Sequence, residues 1–368
     1  MLRLVASVLL LIAGCSPGEP PRTGGAEVSG LLGGDAAEGF ERAYGPRVFS
    51  FPGDHGVHPG FRSEWWYITG NLDSEEGRRF GFQVTFFRFA MSPPPAESRA
   101  SGWAADHLWM VHVAVTDAQG RRHHAEERLA REALGLAGGG GEPFQVWLED
   151  WRLKGGDAGF PQDLLLDGKD VGLRLSFDPV RAPLLQGVDG LSQKGPEPGN
   201  ASYYYSITRL QTRGELRLGD SRFQVSGLSW LDREWGTSAL GKDQVGWDWF
   251  SLQLNDGTDL MYYRLRTRAG EADPHSAGTL LFENGEKRRL GPADMVLKPR
   301  RWWISPRGTR YPVSWDVTVR PLNKTLTVTG LLDDQEMDLS VVYWEGAVDV
   351  LDGGKPVGRG YLEMAGYE

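Results

Sequence analysis

The chain is poor in the residues that announce most chemistries. One cysteine in 368 residues excludes a disulfide framework, a cysteine-ligated zinc site and an iron–sulfur cluster. No G-x-S-x-G elbow, H-E-x-x-H helix, Walker sequence or glycine fingerprint after a strand occurs, which removes the commonest hydrolase, metalloprotease and nucleotide-binding signatures. A serine triad scattered along the chain is defined by geometry and is invisible to spacing. The seven histidines, His55, His58, His107, His112, His123, His124 and His275, include no i, i+4 pair on a helix beside a carboxylate. His55 and His58 could share a metal from a turn, but a clear third ligand is lacking, so neither metal nor cofactor is expected. Basic charge is also short: the formal charge of −9 argues against non-specific binding to nucleic acid or to an anionic membrane surface. Helical periodicity is weak throughout, and Ala125 to Leu136 is the best short helical candidate.

Glycine, by contrast, is abundant. Its 50 copies are nearly twice the ~7% average, and with aliphatic and aromatic residues plentiful the excess reads as tight turns in an all-β fold. Period-two alternation supports this. Val171, Leu173, Leu175 and Phe177 alternate with Gly172, Arg174 and Ser176, and Val313, Trp315, Val317 and Val319 with Ser314, Asp316 and Thr318, as strands with one buried face do. Leu216 to Val225 is a predicted hairpin turning at Gly219-Asp220, and Asp256-Gly257 carries a similar turn signal. Gly138 to Gly141 reads as a low-complexity loop, and Met91 to Ala105 and Gln186 to Ser202 as long loops. An aromatic hairpin over Trp65 to Arg88 is echoed over Trp247 to Arg264, so each half begins with the same strand–turn–strand plan, as fused barrels would.

The first fifteen residues read as a signal peptide: Arg3, an apolar run from Leu4 to Ile12 too short to span a bilayer, then Ala13, Gly14 and Cys15. Ile12-Ala-Gly-Cys15 resembles a bacterial lipobox, with Cys15 as the lipidated first residue and Ser16 fitting outer-membrane sorting. The expected location is therefore the periplasmic face of the outer membrane, with the membrane contacted through an N-terminal lipid anchor. Residues 16–39 hold ten Gly or Pro among 24 and read as a flexible tether. The expected division is leader 1–15, tether 16–39, a first domain 40–238 and a second 239–368.

Three windows pair carboxylates with tryptophans: Glu64-Trp65-Trp66-Tyr67, Trp230-Leu-Asp232-Arg233-Glu234-Trp235 and Trp247-Asp248-Trp249. In strands, Asp232 and Glu234 share one face with Arg233 opposite, and Trp247 and Trp249 share one with Asp248 opposite. Two carboxyls against an apolar wall suit a general acid and its partner, because desolvation tightens their hold on the proton. An aromatic wall also stabilises a cationic intermediate through the ring quadrupole. The same acids could instead pair with Arg62 or Arg88 at a barrel end, with the indoles as a plug.

These windows resemble a known family. His58-Pro-Gly-Phe-Arg-Ser-Glu-Trp-Trp-Tyr-Ile-Thr-Gly-Asn-Leu72, Phe82-Gln-Val-Thr-Phe-Phe-Arg88, Ser226 to Leu240, Gln244 to Leu254, Tyr343-Trp-Glu-Gly-Ala347 and Gly358-Arg-Gly-Tyr361 are similar to motifs of the AttH/carotenoid 1,2-hydratase-like proteins, over about residues 51–367. The resemblance implies two lipocalin-like antiparallel β-barrels packed side by side. It also implies an apolar small molecule or lipid as partner, either held unchanged or hydrated or cyclised at an alkene, with a hydrolase as a third reading. On the alkene reading Asp232, Glu234 and Asp248 are the candidate acids. Glu64, Trp65, Trp66, Tyr67, Trp230, Trp235, Trp247 and Trp249 are the candidate ligand contacts.

Overall fold

In a computed structural model, residues 38–94, 101, 103, 105–238 and 240–367 are described. Cys15 and nearly all of the tether lie outside them. The chain forms two antiparallel sheets of thirteen and ten strands. The first runs from Ser63 to Gly236, the second from Gln244 to Ala365.

Both follow one plan. The opening hairpin of the first sheet, Ser63–Ser74 and Arg79–Ala90, is followed by a meander until the last strand, Ser221–Gly236, pairs back onto the first. In the second sheet Gln244–Leu254 pairs with Asp259–Thr267 and is rejoined by the last strand, Lys355–Ala365. The edge strands of each sheet are consecutive in the chain, Arg122–Arg131 with Ala137–Gly141, and Lys287–Leu290 with Met295–Ile304. Each sheet therefore curls until its edges approach, giving two lipocalin-like barrels. Such closure hides edges that would otherwise template aggregation.

The alternating residues fill the barrels as the sequence suggests. Val171, Leu173, Leu175 and Phe177 enter the first core with Trp66, Trp109 and Trp151. Val313, Trp315, Val317 and Val319 enter the second with Trp344. The Gly219-Asp220 hairpin is present, with Gly219 at φ +55°. Three local expectations are corrected. The stretch 125–136 is not helical: Arg122–Arg131 is a strand that pairs along its length with His107–Asp117, and only Ala133–Gly135 makes a single tight turn. Cross-strand pairing outweighs its weak helical periodicity. Ala137–Gly141 is likewise a strand, bonded to Phe144–Leu148. The segment 186–202 contains a short strand, Leu191–Gln193, on the neighbouring Ala201–Leu218.

Two further clusters bury the outward faces of the barrels against each other. One gathers Tyr67, Tyr204, Trp230, Trp249, Tyr263 and Tyr361, the other Met110, Met337, Val341 and Tyr343. Glycine permits the close approach: a Cβ at Gly81 would lie 2.4 Å from that of Ala347 on the opposite barrel.

Candidate active site

Between the barrels lies a cavity of about 100 Å³. The first barrel supplies Trp65, Tyr67, Tyr204, Asp232 and Glu234, and the second Trp247, Trp249, Tyr263, Tyr343, Glu345 and Glu363, with Lys194 entering from a loop. Strand alternation explains the selection. In Ser221–Gly236, Leu231 and Trp235 face the first barrel's core, so Asp232 and Glu234 face outward. In Val342–Asp352 and Lys355–Ala365, Trp344, Leu362 and Met364 face the second core, leaving Tyr343, Glu345, Tyr361 and Glu363 outward. Glu345 and Glu363 are directly opposed across the two strands. The second barrel turns these outward positions into an interior.

The acids are in distinct environments. Asp232 accepts from the Tyr204 hydroxyl on Oδ2 and from Ser206 Oγ (2.5 Å) and Trp230 Nε1 (2.6 Å) on Oδ1. Burial pushes its pKa up to about 7, against the pull of those three donors and with some help from Glu234. Glu234 accepts from Ser202 and pairs with Lys194 Nζ at 3.0 Å. Although burial disfavours the charge on Lys194, Glu234 raises its pKa, and the ammonium stands 4.1 Å over the Tyr263 ring. Glu363 accepts from Trp247 Nε1 at 3.1 Å. Glu345 is 1% exposed and neither of its oxygens has a hydrogen-bond partner of ordinary geometry, nor does the Tyr67 hydroxyl beside it. Desolvation raises both glutamates, and each gains from neighbouring acids: Glu345 from Glu363, and Glu363 from Asp232 and Glu234. Asp232, Glu345 and Glu363, each with its proton affinity raised by desolvation, therefore face an aromatic wall. Tyr67 and Trp249 meet edge to face at 5.1 Å, and Trp249 Nε1 donates to Tyr204 Oη at 3.2 Å.

The sequence windows divide. Asp232, Glu234, Trp65, Tyr67, Trp247 and Trp249 meet at the cavity, and Trp230 stands behind it on Asp232. Asp248 is placed elsewhere. It lies on the other face of its strand, bound to Arg264 (2.6 Å) and the Tyr367 hydroxyl (2.6 Å). Glu64 sits inside the first barrel, between Arg88 and Arg233 Nη2 (2.9 Å), and takes the backbone N–H of His58. Trp66 lies under the Arg233 guanidinium at 3.9 Å, and Trp235 stacks on His58 at 3.8 Å, both within that barrel. Arg88 thus serves Glu64 and not Asp232 or Glu234. Sequence reasoning missed Glu345, Glu363, Lys194 and the four tyrosines Tyr204, Tyr263, Tyr343 and Tyr361. The repeated Tyr-x-Glu of Tyr343-Trp-Glu345 and Tyr361-Leu-Glu363 was the available signal.

Among the described residues no group of three or more His, Cys, Asp or Glu is arranged to hold a metal. The family model for AttH-like proteins matches residues 42–367. A crystal structure of an AttH protein from Nitrosomonas europaea is 35% identical, with a TM-score of 0.79 over 88% of this chain and 98% of that one. Kievitone hydratase from Nectria haematococca shares the fold at 14% identity and a TM-score of 0.65, over 89% of this chain and 98% of its own. CghA, crystallised with Sch210972, shares it at 13% and 0.51, over 91% and 96%. No curated protein sequence matches.

Proposed function

The chain belongs to the AttH-like family, and from that premise we propose that the cavity between the barrels is an active site for acid-catalysed addition of water to an alkene. The carrying observation is the set of carboxyls with raised proton affinity on facing sheets beside Trp247 and Trp249. Glu363 serves as the acid, since a single indole contact leaves its second oxygen free to carry the proton. Its O–H bond breaks as the alkene π pair forms a C–H bond, leaving a tertiary cation between indoles. Water then adds its oxygen to the cation, and Asp232, whose pKa of about 7 leaves part of it ionised near neutral pH and whose charge three donors support, removes the surplus proton. The names of two structural neighbours, a hydratase and CghA, are consistent with such a site, though at their identity they speak to the fold.

Size narrows the ligand. A cavity of about 100 Å³ is of the order that encloses a ring or a branched chain end, so a long isoprenoid would place only its terminus there. Incubating the protein with a panel of acyclic isoprenoids in H₂¹⁸O should yield a tertiary alcohol carrying the label. Glu363→Gln should slow this by about 10²–10⁴-fold while the alkene still binds. Binding without label uptake in the wild type would replace this reading by that of a carrier for apolar molecules. We also propose that the chain is exported and anchored through Cys15; labelling of the full-length protein by an alkynyl fatty acid, lost in Cys15→Ser, checks it.

A further inference from the structure

Glu345 is 1% exposed, whereas Trp65, Trp247 and Glu363 along the cavity are partly exposed, so it is Glu345 whose proton needs a built path to water. His112 is completely buried where the barrels meet, and both of its ring nitrogens are engaged. Nδ1 lies 2.8 Å from the Tyr343 hydroxyl of the second barrel, and Nε2 lies 2.8 Å from Glu127 Oε2 of the first. The two ends of this chain differ in kind. Glu127 keeps 20% of its side chain exposed and accepts from Ser340. Tyr343 is buried, lines the cavity and stands beside Glu345, whose two oxygens lack partners. The walls are otherwise apolar or neutral: Phe87 packs edge-on against the imidazole at 5.5 Å, Thr85 is its cross-strand neighbour, and Met110, Ala114 and Val341 close the sides.

We propose that Glu127, His112 and Tyr343 form a relay that exchanges protons between solvent and Glu345, and through it recharges Glu363. Inward transfer is balanced. Glu127, protonated from solvent, gives its proton to Nε2; the imidazole releases its Nδ1 proton to the Tyr343 oxygen; the hydroxyl, once it turns from His112 toward the neighbouring unpartnered Glu345, passes its own proton to that carboxylate. One proton enters and no net charge stays on the relay; the imidazole is left with its proton on Nε2, and the reverse sequence carries one proton out and restores Nδ1–H. An imidazole suits this because its two nitrogens can accept and donate on opposite sides. A histidine serving only to fill the core would be satisfied by the same two bonds, so the distinction is kinetic. The inference rests on the hydration reading for its purpose, but its test does not need a substrate.

The experiment is infrared spectroscopy of the substrate-free protein mixed rapidly into D₂O at neutral pH. The carboxylic C=O band that vanishes in Glu345→Gln is followed as it shifts on deuteration. Tyr343→Phe, which keeps the ring, and Glu127→Gln, at the solvent end, should each slow the shift by about 10²-fold, with thermal unfolding verifying that both fold. Wild-type exchange rates in both variants would overturn the relay and leave the hydration reading standing. Absence of the protonated band in the wild type would remove the premise of both.

Discussion

Glu64→Gln tests whether the first carboxylate window serves the fold or a ligand. Glu64, Arg88 and Arg233 have side chains at most 1% exposed, with one carboxylate between two guanidinium groups. The substituted amide would keep the shape and one acceptor oxygen but remove the charge. Both cations would then rely on backbone carbonyls, Arg88 on His58 (3.0 Å) and Phe61 (2.7 Å), and Arg233 on Trp65 (3.0 Å) and Gly56. Breaking a buried pair from one side costs about 3–5 kcal/mol, and the retained acceptor places this variant near 3. At about 2–4 °C per kcal/mol for a body of this size, the melting temperature should fall by roughly 6–12 °C. The pH dependence follows in sign. Burial alone would raise the Glu64 pKa, but Arg88, His58 and Arg233 hold it far below its ordinary 4.5. A depressed folded-state pKa gives stability that is complete above the unfolded value and lost as pH falls below it. The gap between wild type and variant, read by circular dichroism melts, should therefore be flat above about pH 5 and narrow on acidification. A fall below about 2 °C at neutral pH, or a gap that widens in acid, refutes the ion-pair assignment.

Asp232→Asn should show the opposite pH trend. Its pKa is raised from 3.8 to about 7, so the wild type loses stability as pH rises between those values, by at most about 1.4 kcal/mol per unit. The variant should gain on it over that window in parallel melts, and a constant difference would contradict a raised pKa. Asp248→Asn should cost about 1–3 kcal/mol through the Arg264 and Tyr367 contacts without changing alkene affinity. A weakened affinity by titration calorimetry would return Asp248 to the site. Trp249→Phe removes the donor to Tyr204 and trims the ring that meets Tyr67 edge to face. It should lower stability by about 1–2 kcal/mol and also weaken alkene binding, and an unchanged affinity would exclude that wall from the site.

The parts of this molecule legible from sequence are those set within one barrel. Strand alternation places Val171 to Phe177 and Val313 to Val319 inside, because a half-buried strand repeats every two residues whatever lies beyond it. The same rule gives no sign of Glu345 and Glu363. Their strands alternate core and polar residues, and a polar residue on the outward face of a barrel reads as solvated. Only the second barrel, which no local pattern encodes, makes that face an interior. Asp232 and Glu234 were visible because tryptophans flank them; yet the neighbouring Trp235, and Glu64 and Trp66 of the equally aromatic first window, belong to the first barrel's own packing. Windows alone do not distinguish the two faces of a strand until the direction of each is fixed. Lys194 was hidden for another reason, since its position depends on how the segment after Leu191–Gln193 folds over the junction.

The location of the site follows from what the barrels do with their interiors. A lipocalin-like barrel has a natural calyx, but here the first is filled by Trp66, Trp109 and Trp151 and the second by Trp315 and Trp344. Side chains that complete a core are not free to shape a reaction space. The outward faces are, and on the proposed hydration reading each brings half of what the acid chemistry requires. The first barrel carries Asp232 with its neutral donors, and the second carries Glu363 and Glu345 beside Trp247 and Trp249. On either barrel alone these carboxyls would face water and ionise near their ordinary values. Their raised proton affinity arises from desolvation when the two faces meet, so it is a property of the pairing. A substitution that parts the barrels without touching an acid, such as Gly81→Val against Ala347, should therefore lower the pKa of Asp232 toward 3.8. Infrared titration of its carboxyl band would read that shift directly, and an unmoved band would mean that the first barrel alone sets the affinity.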